Sequence, residues 1–233
     1  MASNTHKVPH QISFVVTIDG PAASGKSSVS RELAKRLGWR WVSTGAFYRG
    51  LAYLADLKKI DFADEARLVS LVYSGEWEIR LTPAKTCVFV GGQDVTEAIN
   101  QEEVGLLASK ISSFPEVRKA LLAAQRSLAV PGTGLVAEGR DCGTVVFPAA
   151  QVKVYLTARA EARAARRALE QGRDVSQTID DQKIRDRQDA DRKAAPMQAA
   201  SDAQVIDTSE YSFLEVVEKV QSLVEAQGQL KSL

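Results

Sequence analysis

Apolar residues recur along this chain in two rhythms that take turns. Phe14, Val15, Val16, Thr17 and Ile18 form a compact β-branched run, as in a buried strand. Behind it, Val29, Leu33 and Leu37 fall on one face of a helix over 28–37, and Trp39-Arg40-Trp41-Val42-Ser43 alternates as a second strand. Leu51, Leu54, Ala55 and Leu57 predict a helix that begins near Thr44, whose hydroxyl could cap it. Over 61–100 the pattern changes. A helical stretch with Leu68, Val69, Leu71 and Val72 precedes Trp77-Glu78-Ile79-Arg80-Leu81, a turn at Pro83-Ala84-Lys85, and Cys87-Val88-Phe89-Val90 ahead of Gly91-Gly92. Helices are expected over 104–111 and 116–130, with Pro115 suited to the first turn of the second, and Leu135-Val136-Ala137 is the next core strand. Val152, Val154 and Leu156 alternate in a further strand. After it come a helix carrying Arg163, Arg166 and Arg167 that breaks at Gly172, a helix over about 176–193 that stops before Pro196, a strand at Val205-Ile206, and an amphipathic helix over 213–224.

Strands that alternate with helices predict an α/β protein with a mostly parallel five-stranded sheet covered by helices on both faces. Between the first strand and the first helix stands Gly20-Pro21-Ala22-Ala23-Ser24-Gly25-Lys26-Ser27. Strand, glycine-rich loop and helix are the context a P-loop requires, so the expected architecture is the P-loop NTPase fold. In such a loop the backbone N–H groups converge on phosphate oxygens and the helix N-terminus adds partial positive charge. Lys26 would reach the β and γ phosphates, and the Ser27 hydroxyl would ligate Mg²⁺ carried with ATP. The core is expected over 12–60 and 101–226, with a small β-containing insert at 61–100, a helical lid at about 158–176, and tails at 1–11 and 227–233.

The balance of charge narrows the partners. A net charge of +1 over 233 residues gives no global basic field, so nucleic-acid polymers and acidic membranes are not expected partners. Cys87 and Cys142 are the only cysteines and lie far apart, which suits free thiols in a reducing compartment. The first eleven residues are polar and unlike a secretory signal, and no run reaches the length of a membrane span. A cytoplasmic protein, monomeric by default, is the expectation.

Three basic clusters add to the P-loop. Tyr48 and Arg49 lie about one turn into the second helix, where a guanidinium fork suits phosphate and the ring offers a face and a hydroxyl. Arg140 and Asp141 follow a core strand, at the end where open α/β sheets bind ligands, and a carboxylate there could accept from an exocyclic amine such as N4 of cytosine. Arg185, Asp189 and Arg192 share one helix face, a spacing that a salt-bridged solvated surface would also produce. Arg163, Arg166 and Arg167 describe either a charged surface helix or a lid over ATP phosphates. DxxG and NKxD segments are lacking, so a switch GTPase is not expected. A donor to a small phosphorylated molecule fits better, and a binding protein that transfers nothing remains the alternative.

IDGPAASGKSS, STGAFYRG, SFPEVR, EGRDCGTVVFP and RDRQDADRKAAP, in that order and spacing, resemble the bacterial cytidylate kinase family over nearly the whole chain. The resemblance implies transfer of the ATP γ-phosphoryl group to CMP or dCMP. It implies that Gly20 to Ser28 hold ATP with Mg²⁺, that Lys26, Arg140 and Asp141 are catalytic, and that Arg163, Arg166 and Arg167 are lid residues on the ATP side. By the same likeness Arg49 and Arg140 would hold the CMP phosphate, and Tyr48, Arg185 and Asp189 would surround the sugar. Thr44, Ser109, Arg118, Asp141 and Arg192 would contact the cytosine, and the 61–100 insert would be the CMP-binding one. Cys142 departs from the pattern, standing where a larger aliphatic residue is common. Which of Asp19, Glu138 and Asp141 steadies the Mg²⁺ waters stays open.

Overall fold

The computed structural model describes residues 13–171 and 197–230. In chain order the first elements are β1 (Phe14–Asp19), α1 (Lys26–Leu37), β2 (Arg40–Ser43), α2 (Gly45–Leu57) and α3 (Glu65–Val72). They are followed by β3 (Trp77–Leu81), β4 (Thr86–Val90), β5 (Gln93–Asp94), α4 (Glu102–Ile111), α5 (Pro115–Arg126) and β6 (Gly134–Gly139). Then come β7 (Val152–Thr157), α6 (Ala160–Gln171), β8 (Gln204–Asp207) and the C-terminal helix Phe213–Leu230.

The main sheet has five strands in the order β2-β6-β1-β7-β8, every neighbouring pair parallel. Alternation along the strands sends side chains to two separate cores. Val16, Ile18 and Val136 face α1 and the C-terminal helix, where they meet Val29, Leu33, Val217 and Val220. Val15, Leu135 and Ala137 face the other layer, where Phe47, Leu51 and Leu54 of α2 and Leu121 of α5 close over them. Each fully buried Leu, such as Leu33 or Leu51, contributes on the order of 2 kcal/mol of apolar burial. Gly38 ends α1 in a left-handed conformation that returns its N–H to the last turn, which lets β2 follow at once.

The 61–100 region holds a separate antiparallel sheet, β3-β4-β5. Gly50 of α2 lets it come close, since a Cβ there would meet Val88 Cγ1 at 2.9 Å and Trp77 at 3.2 Å. The Thr86 hydroxyl ties this sheet to the edge of the main one, accepting from the Ser43 amide at 2.9 Å and donating to the Trp41 carbonyl at 3.2 Å.

Three expectations change at their ends. α5 stops at Arg126 rather than 130, because the amides of Leu128 and Ala129 turn to carbonyls three residues back and Pro131 steers Val130 out of the helix. The C-terminal helix continues past Val224, so 227–230 are helical and not tail; its apolar rhythm ends there while its backbone bonding goes on. Thr44 sits at the start of α2 but does not cap it. Its backbone is already helical (φ −65°, ψ −24°), and its hydroxyl donates instead to the Glu138 carbonyl at 2.9 Å. Residues 1–11, the helix over 176–193 and 231–233 lie outside the described residues. Among the described residues no helix is long and apolar enough to cross a membrane, and Cys87 and Cys142 are free thiols.

Candidate active site

The parallel register brings two loops out of the same end of the sheet, side by side. Asp19, the last residue of β1, is paired with Gly139, the last of β6, and Ser43 is paired with Glu138. The chain leaves β1 as the glycine-rich loop and leaves β6 as Arg140-Asp141, so the two candidate ligand loops share a border.

The glycine-rich loop is shaped by close approach. A Cβ on Gly20 would lie 2.1 Å from the Leu156 carbonyl oxygen, and Gly25 starts α1 at φ 88°. Lys26 is buried and its ammonium donates to the Pro21 carbonyl at 3.1 Å, curling back over the loop. The loop is also held from behind: Arg163 donates to the Ala22 carbonyl at 3.2 Å and the Thr208 hydroxyl to the Ser24 carbonyl at 3.3 Å. The Ser27 hydroxyl donates to Glu138 Oε1 at 3.0 Å, while Glu138 Oε2 is buried with no hydrogen-bond partner. A hydroxyl beside an unsatisfied carboxylate oxygen is a donor set that suits a hydrated divalent cation.

Across the cavity, Arg118 of α5 forms a buried ion pair with Asp141 and also donates to the Ser112 carbonyl at 3.2 Å. Its guanidinium carbon lies 5.5 Å from the centre of the Tyr48 ring, a cation–π contact. Arg49 donates to the carbonyls of Ile99 at 2.7 Å and Gln101 at 3.3 Å, which aligns α2 with the start of α4. Thr44, Tyr48, Arg49, Ser109, Arg118, Arg140 and Asp141 line one cavity together with Ala22, Ala23, Gly25, Lys26, Ser27 and Ser28. Gly20, Pro21 and Ser24 are buried and do not line it.

Arg163 and Arg166 are seated on the flank of the glycine-rich loop and on Thr208. Arg163 is buried against the outer side of the glycine-rich loop, and Arg166 donates to the Thr208 hydroxyl and carbonyl at 2.9 and 2.8 Å. α6 follows β7, and these bonds hold it against the glycine-rich loop and the residue after β8; neither arginine lines the cavity. Arg185, Asp189 and Arg192, together with the side chain of Arg167, lie outside the described residues.

Asp19 accepts from the backbone amides of Cys142 at 2.8 Å and Gly143 at 2.7 Å. Burial raises its pKa from 3.8 to about 6; the two amides pull the other way and the nearby Asp141 charge adds to the rise. The Cys142 thiol is pushed well above its ordinary value by burial and by the carboxylates of Asp19 and Asp141, which makes it a packing group rather than a nucleophile. Sequence reasoning named Asp19 and Glu138 only as candidate holders of cation waters. Their contacts, to Cys142 and Ser27, span more than a hundred residues and follow from strand order rather than from any local motif.

The family model for cytidylate kinase matches residues 16–226. A cytidylate kinase from Bdellovibrio bacteriovorus is 58% identical over 207 residues, covering 89% of this chain and 95% of that protein. One from Colwellia psychrerythraea is 44% identical over 222 residues, covering 93% and 97%. Among solved structures, a gluconokinase from Sinorhizobium meliloti 1021 superposes with a TM-score of 0.52 at 13% identity, over 95% of this chain and 97% of that one. That likeness extends to the fold alone.

Proposed function

This chain belongs to the cytidylate kinase family, and from that premise we propose that it transfers the γ-phosphoryl group of ATP to CMP or dCMP, yielding ADP and CDP or dCDP. The observation that carries the reading is a single cavity with Lys26 and Ser27 on one wall and Tyr48 with the Arg118–Asp141 pair on the other. One wall suits a triphosphate and the other a flat base with hydrogen-bonding edges.

In this reading the loop from Gly20 to Ser28 cradles the ATP phosphates and Lys26 neutralises charge on the transferring group. Arg49 and Arg140 hold the acceptor phosphate. Asp141, fixed by Arg118, accepts from the cytosine amine, with Thr44 and Ser109 completing the base pocket and Tyr48 bordering the sugar. The acceptor is already an anionic oxygen, so no strong general base is required. Rate comes from alignment and charge neutralisation. Mg²⁺ bound with ATP would be held by Ser27, with Glu138 ordering its waters, and it supplies charge neutralisation on the phosphates. Asp141 is committed to Arg118 and Asp19 to two backbone amides, which favours Glu138 for that task.

The insert at 61–100 is proposed as the acceptor-binding module and the region at about 158–176 as the lid; their closure would keep water from taking the phosphoryl group. Arg163, Arg166 and Arg167 would engage ATP after α6 shifts from its present seat. Arg185, Asp189 and Arg192 complete the acceptor pocket in this reading, and the protein acts as a cytoplasmic monomer. Product analysis tests the reaction: with Mg·ATP and CMP, CDP and ADP should form in equal amounts. ADP without CDP would mean hydrolysis, not transfer.

A further inference from the structure

The mechanism above gives Asp19 no task, yet this carboxylate is among the most constrained polar groups in the molecule. It is 5% exposed and stands at the root of the phosphate-binding loop. Its two oxygens accept from two consecutive backbone amides, Cys142 at 2.8 Å and Gly143 at 2.7 Å, on a loop more than a hundred residues away. Those amides immediately follow Arg140 and Asp141. They stand at the start of a turn whose own bonds come from later amides: Val145 and Val146 donate to the Asp141 carbonyl, and Phe147 to the Cys142 carbonyl.

Two glycines make the approach feasible. A Cβ on Gly143 would lie 2.9 Å from Thr17 Oγ1 and 3.4 Å from Asp19 Oδ2; one on Gly139 would lie 2.4 Å from Thr44 Oγ1. The segment 139–143 is therefore pressed against β1 on one side and Thr44 on the other, with Arg140 and Asp141 held at its crest.

The phosphate-binding loop has anchors of its own. Its backbone is fixed by Lys26 on Pro21, by Arg163 on Ala22, by Thr208 on Ser24, and by the Val29 amide on the Gly25 carbonyl. The acceptor loop has fewer anchors. Downstream, Arg126 holds the carbonyls of Val145 and Val146, and the Asp141 and Cys142 carbonyls bond forward within the turn, while the bonds that tie this main chain to the end of β1 are those to the Asp19 carboxylate.

We infer that Asp19 is a positioning residue for the acceptor side: its carboxylate, gripping the amides of Cys142 and Gly143, sets where Arg140 and Asp141 stand relative to the phosphate-binding loop. It touches neither nucleotide. It fixes the distance between the two substrates by joining the strand that delivers one loop to the turn that carries the other. The inference rests on the proposed transfer from ATP to CMP.

The test compares wild type, Asp19→Asn, Gly143→Ala and Thr17→Ala/Gly143→Ala for kinetics with CMP and UMP and for ATP binding by calorimetry. In Asp19→Asn one oxygen is replaced by an NH₂ that faces an amide N–H, so one bond is lost. The expected result is a fall of about tenfold to a hundredfold in kcat/KM for CMP, a displacement effect of the usual size. The preference for CMP over UMP should shrink with it, while ATP affinity stays within about twofold. Gly143→Ala should give the same pattern with the carboxylate still present, and Thr17→Ala, which removes the nearest atom the new Cβ would meet, should restore most of the activity. The double variant also carries the test if Asp19→Asn fails to fold. Unchanged CMP kinetics in a folded Asp19→Asn, or equal losses of ATP affinity and CMP turnover, would overturn the inference. A wild type that turns over no CMP would instead remove the functional reading beneath it.

Discussion

The Arg118 guanidinium and the Asp141 carboxylate are ion-paired to each other while both line the cavity. Arg118 leaves α5 and Asp141 follows β6, so the pair locks a helix of one layer to the carboxyl end of the central sheet. In the proposed function the pair's outward edge would read the base.

Arg118→Met keeps the bulk and removes one half of the buried ion pair with Asp141. Loss of one member of such a pair costs about 3–5 kcal/mol, so a clear drop in melting temperature is expected by calorimetry. Asp141→Ala should lower the preference for CMP over UMP more than it alters the KM for ATP. An unchanged CMP/UMP ratio would remove its base-reading role.

Lys26→Ala deletes the ammonium that folds over the phosphate-binding loop. Removing a single group that stabilises transferring charge typically costs about a hundredfold or more in kcat, and here the loss should appear with every acceptor. Steady-state rates with CMP and dCMP measure it. Equal background ADP formation by wild type and variant would leave a binding protein as the reading.

Glu138→Gln keeps the shape of the side chain that accepts from Ser27 but removes its charge. If its free oxygen orders the cation's waters, the Mg²⁺ concentration for half-maximal rate should rise about tenfold to a hundredfold, the range for residues that support a metal ligand. The KM for CMP should move little. Titration of the rate with Mg²⁺ at fixed ATP reads it, and an unmoved curve would exclude the role.

Asp19 gives a pH signature of known sign. Its folded pKa is raised from 3.8 to about 6, so its contribution to stability is fully present below 3.8 and is lost as pH rises through about 6. Denaturant unfolding of wild type and Asp19→Asn should show the wild type losing ground to the variant between about pH 4 and about pH 7. Asp94, Asp202, Asp207 and Glu215 have lowered values and the opposite sign, but they are common to both proteins and cancel in the difference.

Much of this was legible in the chain because it is local. The β-branched run ahead of Gly20 and the helical spacing of Val29, Leu33 and Leu37 define strand, loop and helix without help from the rest of the fold. The alternation at Trp77 to Leu81 and the apolar run Cys87 to Val90 mark the second sheet for the same reason. What was not legible depends on which strands are neighbours. Thr44 looks like a capping residue until β2 is laid beside β6, which brings the Glu138 carbonyl within reach of its hydroxyl. The Ser27–Glu138 and Asp19–Cys142 contacts have the same origin. Arg163 and Arg166 carry the charge a lid would need, and only the position of α6 beside β8 shows them seated on Ala22 and Thr208.

The most direct measurement is ADP release from Mg·ATP by the purified protein, with CMP, dCMP, UMP, AMP and no acceptor run in parallel. Release confined largely to CMP and dCMP is the predicted result. Release that peaks with another acceptor would contradict the cytosine pocket while keeping the P-loop chemistry, and no release in any well would contradict phosphoryl transfer itself.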